Sequence, residues 1–444
     1  MSQLSPHIIE SVLAQQSKRP EQLYIGYSGG MDSHVLLHLC ASLPQWQDKI
    51  TAVYIHHGLQ SVASEWAEHC AIQAQALGVK FLTLHVNATA ERGESPEEAA
   101  RNARYSALKN LISADNDVLL IAQHQDDQLE TVLLQLFRGS GLRGLSGIPE
   151  SNSFSHGSIL RPLLHSSKQE LCDYAHECKL QWIEDPSNQS SQYDRNFLRL
   201  AVIPLLKQRW QAVDKTVARS AKHCAEAQYI VTAIADELFD PVFNSIDKTL
   251  NITQLKMHKA TRQHLVIRHW FSYLGLRMPP QAFVDRLLTE VVWAKPSSVP
   301  LLVGQNYGIR RYRDRLYCLP QIEHEPLIDT IWDTEQQSLT IANQQLLSYQ
   351  ASSVGIPYAR WKNAVIHVKA RTGGERIRLP KRKRLHTLKK LFQEAGIPPW
   401  EREQIPLIYL DDKLAAIGDR WLSADFYSEG EENDCIRLSL CKNS

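Results

Sequence analysis

Six residues near the start of the chain have the types and the order needed to bind an anion. They are Ser28, Gly29, Gly30, Met31, Asp32 and Ser33. The apolar run 23–27 precedes them and the apolar-periodic run 35–40 follows, which predicts a strand, a glycine turn and a helix beginning near Asp32. Adjacent glycines let the backbone approach a ligand closely, and a helix N-terminus offers unpaired N–H groups. The alternative is an ordinary glycine-rich helix start without a ligand.

The same six residues, SGGMDS, resemble the pyrophosphate loop of the N-type ATP pyrophosphatases. Those enzymes split ATP into AMP and pyrophosphate in order to adenylate a substrate. The GxxxxGK[ST] spacing of a Walker loop does not occur in the chain, which argues against a kinase or a GTPase. A carboxylate beside phosphates is unfavourable unless it serves a divalent cation, so we interpret Asp32 as a residue that binds or orients magnesium.

A second group of polar residues follows the fourth predicted strand. It comprises His124, Asp126, Asp127 and Glu130. In a helix beginning near Asp126, the spacing places His124, Asp127 and Glu130 on one side. Acids in a first turn also complement the helix dipole and need no further role. That alternative explains the whole group less well, because carboxylates repel unless a cation or an ammonium group lies among them. We therefore predict a cation site, with Asp127 as a second magnesium ligand.

Two arginines, Arg101 and Arg104, lie three residues apart on a predicted helix among small alanines. Arginines on a helix commonly face solvent, and that alternative stays open. Beside a phosphate loop, a guanidinium also suits the α-phosphate of a nucleotide or a nucleic-acid backbone.

The elements that must position these residues alternate along the first half of the chain. Strands are predicted at 23–27, 50–56, 81–86 and 118–122, and helices at 6–16, up to Leu77, at 95–112 and at about 126–137. This alternation predicts an α/β fold with a parallel sheet covered by helices on both faces. Ligands bind beyond the carboxyl ends of such strands, where the loops after Tyr27, His56 and Ala122 lie.

Length and composition limit the class of protein. The 444 residues suggest about three domains at roughly 150 residues each. No apolar run approaches the roughly 18 residues of a membrane span, and residues 1–20 lack the pattern of a secretion signal. We expect a cytoplasmic protein without a membrane partner. Eight cysteines without a CxxC pair indicate reduced thiols, and Cys172 and Cys178 around His176 are the best metal candidate among them.

The second half of the chain gives weaker signals. Helices are predicted over 196–238, 255–274 and 280–292, and a short β segment over 307–319. We predict a catalytic domain at 1–215, a mostly helical domain at 216–320, a linker at 321–337 and a small α+β domain at 338–444. Within a net charge of only +1, residues 371–390 contain nine lysines or arginines and one acid, Glu375. This basic segment is either a solvated loop or a surface for a polyanion.

Further motifs resemble those of the bacterial tRNA(Ile)-lysidine synthetase family, in the same order along the chain. They are residues 28–33, 57–59, 101, 104–105, 124, 126–128, 130–131, 138–139, 161–164, 182–188 and 195–199. The resemblance is dense from 22 to about 210 and looser beyond, where 388–390 and 396–400 look like the family's last domain.

The resemblance implies an ATP-dependent ligase that joins L-lysine to the wobble cytidine of an isoleucine tRNA with the anticodon CAU. In the family the cytidine C2 oxygen is adenylated with release of pyrophosphate, and the lysine ε-amine then displaces AMP. ATP and Mg²⁺ are the implied cofactors, both C-terminal domains are implied to bind tRNA, and no protein partner is implied. The implied catalytic residues are Asp32, Arg101, Arg104, His124, Asp126, Asp127 and Glu130.

Other functions remain as alternatives. A tRNA-thiolating relative needs a persulfide or cluster cysteine, and no CxxC is present. A glutamine-dependent synthetase needs a nucleophilic N-terminal cysteine, but Ser2 follows Met1. A non-catalytic RNA-binding relative predicts loss of the acids around Asp127, and these are intact.

Overall fold

The computed structural model describes residues 4–56, 63–87, 89, 96–186, 193–295, 298–320, 327–342, 345–430 and 434–442. The chain divides into two compact units, 1–234 and 235–444. The predicted motif at 57–59 and the predicted helix start at Ser95 lie outside the described residues. No helix in the described ranges is both long and apolar enough to cross a membrane.

A six-stranded sheet forms the centre of the first unit. Its strands are β1 (Leu23–Gly26), β2 (Ile50–His56), β3 (Lys80–His85), β4 (Val118–Leu120), β5 (Ser151–Phe154) and β6 (Gly157–Leu160). The strand order is β3-β2-β1-β4-β6-β5, and all neighbours are parallel except β5 with β6. Leu23, Ile25 and all of β4 are buried, as strands covered on both faces require. The predicted α/β fold class is confirmed.

Helices connect and cover these strands. They are α1 (His7–Ala14), α2 (Met31–Ala41), α3 (Ala63–Ala76), α4 (Pro96–Leu111), α5 (Gln125–Phe137), α6 (Leu142–Leu145), α7 (Lys168–Glu177), α8 (Asp194–Phe197), α9 (Ile203–Arg209) and α10 (Val213–Phe239). Strand β1 has β2 on one side and β4 on the other, so the connections diverge there. This is the position at which open α/β sheets bind ligands. The loops after β1 and β4 therefore form the candidate site.

The predicted helical stretch 196–238 consists of several helices. A π-helical segment, Leu198–Val202, joins α8 to α9 immediately before Pro204, which has no backbone N–H to donate. Helix α9 ends at Arg209, and Trp210 leaves the helical conformation at φ −127° and ψ 87°. These interruptions set the directions of α8 and α9, which contribute basic residues to the site.

The region after α10 combines helices with a sheet. Its helices are α11 (Ile252–Lys256), α12 (Ala260–Tyr273) and α13 (Gln281–Arg286), which continues as the π-helical segment Leu287–Val292. A five-stranded sheet of order β7-β8-β11-β10-β9 packs with them, formed by β7 (Phe243–Asn244), β8 (Thr249–Asn251), β9 (Leu301–Val303), β10 (Tyr307–Tyr312) and β11 (Arg315–Pro320). The helices were predicted, whereas most of this sheet was not. Trp270 and Phe271 are fully buried in its core.

Two five-stranded sheets and a two-stranded ribbon form the C-terminal region. The elements are β12 (Thr330–Trp332), β13 (Ser338–Ile341), β14 (Gln345–Ser352), β15 (Val354–Pro357), α14 (Tyr358–Lys362), β16 (Ile366–Lys369), β17 (Arg376–Arg378), β18 (Leu385–Thr387), α15 (Leu388–Glu394), α16 (Pro399–Arg402), β19 (Leu407–Leu410), β20 (Lys413–Ile417), β21 (Trp421–Leu422), β22 (Ser428–Glu429) and β23 (Cys435–Lys442). The sheet orders are β12-β16-β19-β20-β21 and β13-β14-β23-β15-β22. Strand β12 lies in the segment predicted as a linker, yet Trp332 is buried in the core.

Candidate active site

The loop between β1 and α2 is held in shape by its own two serines. The Ser33 hydroxyl donates to the Gly30 carbonyl at 2.9 Å and accepts from the Ser28 backbone N–H at 3.2 Å. The Ser28 and Ser33 hydroxyl oxygens lie 3.1 Å apart, and the Gly30 N–H points at the Ser28 hydroxyl at 3.4 Å. These hydrogen bonds stabilise the turn from within.

Gly29 is required by both conformation and space. Its φ is +82°, and a Cβ there would lie 2.7 Å from the Ile183 Cδ1 atom and 2.8 Å from the Cys70 Sγ atom. The Ile183 N–H donates to the Gly29 carbonyl at 2.9 Å, so Ile183 of the predicted 182–188 motif contacts the loop directly. The next residue, Gly30, is the N-cap of α2 and makes no side-chain cap hydrogen bond. The first N–H groups of α2 are thus available to an anion.

His124 joins the loop to the acidic helix. As the N-cap of α5 it accepts a hydrogen bond at Nδ1 from the Asp126 N–H at 3.2 Å. Its Nε2 atom lies 3.5 Å from Oδ2 of Asp32 and 3.5 Å from Oδ2 of Asp127. Because Nδ1 accepts, the network assigns the proton of the neutral ring to Nε2, between the two carboxylates. The ring is only 2% exposed, so this geometry is fixed by packing.

The charged groups around this contact shift the pKa values of both His124 and Asp32. Burial disfavours the charged form of His124, but Asp32, Asp127 and Asp126 together raise its pKa above the usual value. Burial likewise disfavours the Asp32 carboxylate, yet His124 and the charges of Lys168 and Arg199 hold its pKa below the usual range. Asp32 is therefore ionised at neutral pH.

Asp127 and Glu130 face two arginines from the segment after α7. The Glu130 carboxylate is 1% exposed and accepts from Arg195 Nε at 2.7 Å and from Arg199 Nε at 2.7 Å. Asp127 accepts from the His124 N–H at 3.0 Å and from Arg195 at 3.2 Å. Arg195 and Arg199 are one helical turn apart, which puts both guanidiniums on the same side. The protein itself thus supplies cations among the predicted acids.

Asp126, the other acid of the first turn, faces a lysine of α9 instead of the two arginines. Lys207 of α9 donates to its two oxygens at 3.1 and 2.9 Å, and the Asp214 carboxylate lies 3.9 Å from the same ammonium group. This contact ties α9 to the N-terminus of α5. The predicted acids therefore separate into Asp127 and Glu130, which face Arg195 and Arg199, and Asp126, which faces Lys207.

Arg101 and Arg104 belong to a second group of side chains around Tyr105. The Arg101 guanidinium lies 5.0 Å from the centre of the Tyr105 ring. Burial lowers the pKa of Arg104, with a further decrease from Arg101 that Tyr105 opposes. Arg161, buried after β6, donates to Gln123 at 2.6 Å, to the Pro149 carbonyl at 2.8 Å and to Asn152 at 2.9 Å. Gln123 directly precedes His124, so this group borders the same edge of the sheet.

One atom of the loop fits a magnesium ion. Oδ1 of Asp32 is buried and has no hydrogen-bond partner among the described residues. Within the same residues no cluster of three or more His, Cys, Asp or Glu could hold a metal ion. Mg²⁺ suits such a site, because it is usually held by one or two carboxylates together with substrate phosphates and water. The hypothesis of a metal site at Cys172, His176 and Cys178 finds no support, because these described residues do not form such a cluster.

The sequence pattern identified Arg195 and Arg199 as part of a motif but predicted no role for them. It did not identify Lys207 as a residue of the site. The i,i+4 spacing of the two arginines was a usable signal for a shared face. Nothing in the sequence indicated that their partners are 65 and 69 residues away.

The sheet and its glycine loop define a class of protein. The family model of the PP-loop domain matches residues 4–206, that of the TilS substrate binding domain matches 250–317, and that of the TilS substrate C-terminal domain matches 366–440. The first match includes the glycine loop, His124 and the acids of α5, so residues 4–206 form a PP-loop domain.

Similarity over the full length identifies the family. The chain is 38% identical over 416 residues to the tRNA(Ile)-lysidine synthase of Methylococcus capsulatus, covering 93% of this chain and 94% of that one. It is 39% identical over 428 residues to that of Serratia proteamaculans, covering 96% and 97%. The chain belongs to the tRNA(Ile)-lysidine synthase family. Among solved structures it is similar to the U34-tRNA thiolase NcsA of Methanococcus maripaludis, with a TM-score of 0.43, 16% identity, and coverage of 50% of this chain and 78% of that one.

Proposed function

We propose that the protein uses ATP to join L-lysine to the wobble cytidine of a tRNA(Ile) with the anticodon CAU, and that it does so in the cytoplasm. The two relatives compared above bear this enzyme name and match more than nine-tenths of the chain. The observation that carries the proposal is the contact of His124 with Asp32, at 3.5 Å. It brings a phosphate-binding loop and an acidic helix to one place, and a reaction between ATP and an amine needs both.

In the first step, residues 28–33 hold the phosphates of ATP. The cytidine C2 oxygen attacks the α-phosphorus, the new O–P bond replaces the bond to the bridging oxygen, and pyrophosphate leaves. Asp32 would hold Mg²⁺ through its unpartnered oxygen, with Asp127 as a second ligand beside it. When bound, the ion neutralises charge on the departing pyrophosphate. We assign to Arg101 and Arg104 the stabilisation of the negative charge that develops on the α-phosphate.

In the second step, the ε-amine of lysine attacks C2 of the adenylated cytidine. The C–N bond forms, the C–O bond to the adenylate breaks, and AMP leaves. Lysine arrives as an ammonium ion and must first lose a proton. His124 is a poor acceptor, because Nδ1 is engaged with the Asp126 N–H and Nε2 carries the proton. We therefore assign proton removal to the Asp127 carboxylate.

The remaining acids act through their partners. Glu130 is buried with both oxygens bonded to Arg195 and Arg199, so we assign it the positioning of those guanidiniums. Asp126 is bonded to Lys207, so we assign it the docking of α9 beside the site. Both are positioning residues in this account.

The basic segment 371–390 is proposed to bind the tRNA backbone. Several of its charges lie beside acids: Arg371 with Glu375 at 3.4 Å, Lys381 with Glu429 at 3.8 Å and Arg382 with Glu394 at 3.7 Å. Lys383 and Arg384 are exposed and form no ion pair with another described residue. Both are therefore candidates for phosphate contacts, which position a nucleic acid without reading its bases.

A thiolation activity is less well supported. The cysteine nearest the loop is Cys70, whose Sγ atom would be 2.8 Å from a Cβ on Gly29. Burial raises the pKa of the Cys70 thiol to about 12. A reactive cysteine has a lowered pKa and an accessible sulfur, so Cys70 is suited to packing rather than to sulfur transfer.

Pyrophosphate release tests the proposal. Purified protein is incubated with ATP, Mg²⁺, lysine and a tRNA(Ile) transcript, and each component is omitted in turn. The proposal predicts pyrophosphate release that requires the tRNA, and AMP release that requires both tRNA and lysine. Release that proceeds equally without tRNA would contradict it.

A further inference from the structure

A cavity of about 250 Å³ lies in the C-terminal region, between its two five-stranded sheets. Strands β20 and β21 of one sheet and β15 and β23 of the other contribute its walls. Gly355 allows the close approach of β15 to β23, because a Cβ there would lie 2.0 Å from the Ile436 carbonyl oxygen. The cavity is smaller than the roughly 300 Å³ at which pockets for drug-sized ligands begin. It has room for one flat ring system.

Two aromatic rings line this cavity and are held in place by their neighbours. The Trp421 ring packs on Phe392 with centroids 5.5 Å apart. The Tyr427 hydroxyl donates to Glu429 at 2.6 Å. Both rings are partly exposed, so each offers a surface to a ligand. Fixed aromatic rings stack well on nucleobases, because every base has a π face.

Two arginines and one acid complete the lining. Arg420 and Arg437 are exposed, and neither forms an ion pair or a side-chain hydrogen bond with another described residue. Uncompensated guanidiniums suit phosphate oxygens, to which they donate in pairs. Asp419 can accept from an exocyclic amine of a base. Pro380, in the basic segment 371–390, also lines the cavity, so the cavity opens beside the surface assigned to the tRNA backbone.

We propose that this cavity binds one unpaired nucleotide of the RNA substrate, with its base against Trp421 and Tyr427 and its phosphates at Arg420 and Arg437. This inference rests on the proposed function, because it takes tRNA to be the partner. A free mononucleotide has the same chemistry. The adjoining basic segment favours RNA, since a mononucleotide would leave Lys383 and Arg384, which form no ion pair with another described residue, without a partner.

Trp421 gives a direct signal for the test. A stacked base quenches indole fluorescence, and Trp421→Phe removes the signal while keeping an aromatic ring, whereas Trp421→Leu removes both. We expect tRNA to quench part of the wild-type emission, Trp421→Phe to lose that part with near-normal affinity, and Trp421→Leu to bind about tenfold more weakly. Free CMP and AMP serve as further probes, and quenching by either as strong as that by tRNA would overturn the assignment to RNA.

The arginines provide a second test, which leaves both aromatic rings unchanged. Arg420→Gln with Arg437→Gln should weaken tRNA binding and lower the slope of log affinity against log salt by about 1.4 units, as expected for two single-strand phosphate contacts. Lys362→Gln with Lys413→Gln removes the same charge from exposed positions of the same region and should leave the slope unchanged. Identical curves for the two double variants would overturn the proposal.

The lysine-ligation assay separates this inference from the function on which it rests. In that assay the arginine double variant should show a raised KM for tRNA, because Arg420 and Arg437 are proposed to contact its phosphates. If the wild-type protein transfers lysine but the double variant binds tRNA normally, only the cavity assignment fails. If the wild-type protein transfers no lysine, the proposed function fails.

Discussion

His124 Nε2 lies 3.5 Å from Asp32 Oδ2, so the residue that caps α5 also contacts the carboxylate of the phosphate loop. The two residues follow β4 and β1, which are neighbours in the sheet and diverge in their connections. The topology of the sheet therefore creates the contact, and the site depends on a relationship that neither motif contains alone.

Replacing Asp32 tests the metal assignment. Asp32→Asn keeps the size of the side chain but removes the charge that would hold Mg²⁺. We expect pyrophosphate release to fall by at least about a hundredfold at saturating Mg²⁺, since a positioned ion contributes several kcal/mol to the transition state. Binding of tRNA should stay nearly unchanged. Asp48→Asn, at an exposed position, is the control. A normal rate in Asp32→Asn would rule out the metal role.

His124 should make stability depend on pH in a defined direction. Its pKa is raised in the folded protein, so its stabilising contribution is complete below the ordinary value of about 6.5 and is lost as the pH rises through the folded value. The pKa of the Asp32 carboxyl is lowered in the folded protein. The stabilising contribution of Asp32 is therefore lost only as the pH falls through that folded value. His124→Asn keeps a helix-capping side chain.

The measurement is urea unfolding of the wild type and His124→Asn from about pH 5 to about pH 9. We expect the wild type to exceed the variant in stability most at the acidic end. A difference that stays constant, or that grows with pH, would show that His124 does not titrate against Asp32 and Asp127.

Glu130 should matter for stability because it is buried between two arginines. Glu130→Gln leaves Arg195 and Arg199 without their charged partner. We expect a loss of about 3 kcal/mol, the lower end for breaking a buried pair, because both arginines are partly exposed and retain Asp127. Glu68→Gln, at an exposed position, should be nearly neutral. Equal unfolding midpoints for the two variants would contradict a buried ion-pair cluster.

The basic segment should control the salt dependence of tRNA binding. Neutralising Lys381, Arg382, Lys383 and Arg384 together should raise the KM for tRNA and lower the log–log salt slope by about 3 to 4 units, while leaving ATP affinity alone. Lys383→Gln with Arg384→Gln should account for at least half of the change, since the other two already lie beside acids. Slopes parallel to the wild type would identify the segment as solvated surface.

Local patterns were sufficient to predict four of the six strands of the first sheet and the helices between them. The strand Ile50–His56 and the helix that ends at Phe137 were predicted within a residue, because long alternating or helical patterns report burial directly. The loop 28–33 and His124 were identified by residue type. The proximity of the loop and His124 could be predicted because ligand-binding loops lie at the carboxyl ends of parallel strands.

Features that depend on distant residues were not predictable. Strands β7, β8 and β9 have only two or three residues each, too few for an alternation to be visible. Thr330–Trp332 looks like a linker in sequence and becomes a strand by pairing with Ile366–Lys369. The partners of Glu130 lie on a helical segment far along the chain, and single-sequence patterns contain no information on such pairs.

Incorporation of labelled lysine into tRNA is the sharpest test of the proposed reaction. The protein is incubated with ATP, Mg²⁺ and labelled lysine, together with tRNA(Ile) transcripts that differ only in having cytidine or uridine at the wobble position. We expect one lysine per tRNA and one AMP per lysine for the cytidine transcript, and no incorporation for the uridine transcript. Equal labelling of both transcripts, or AMP formation without labelling of the cytidine transcript, would contradict it.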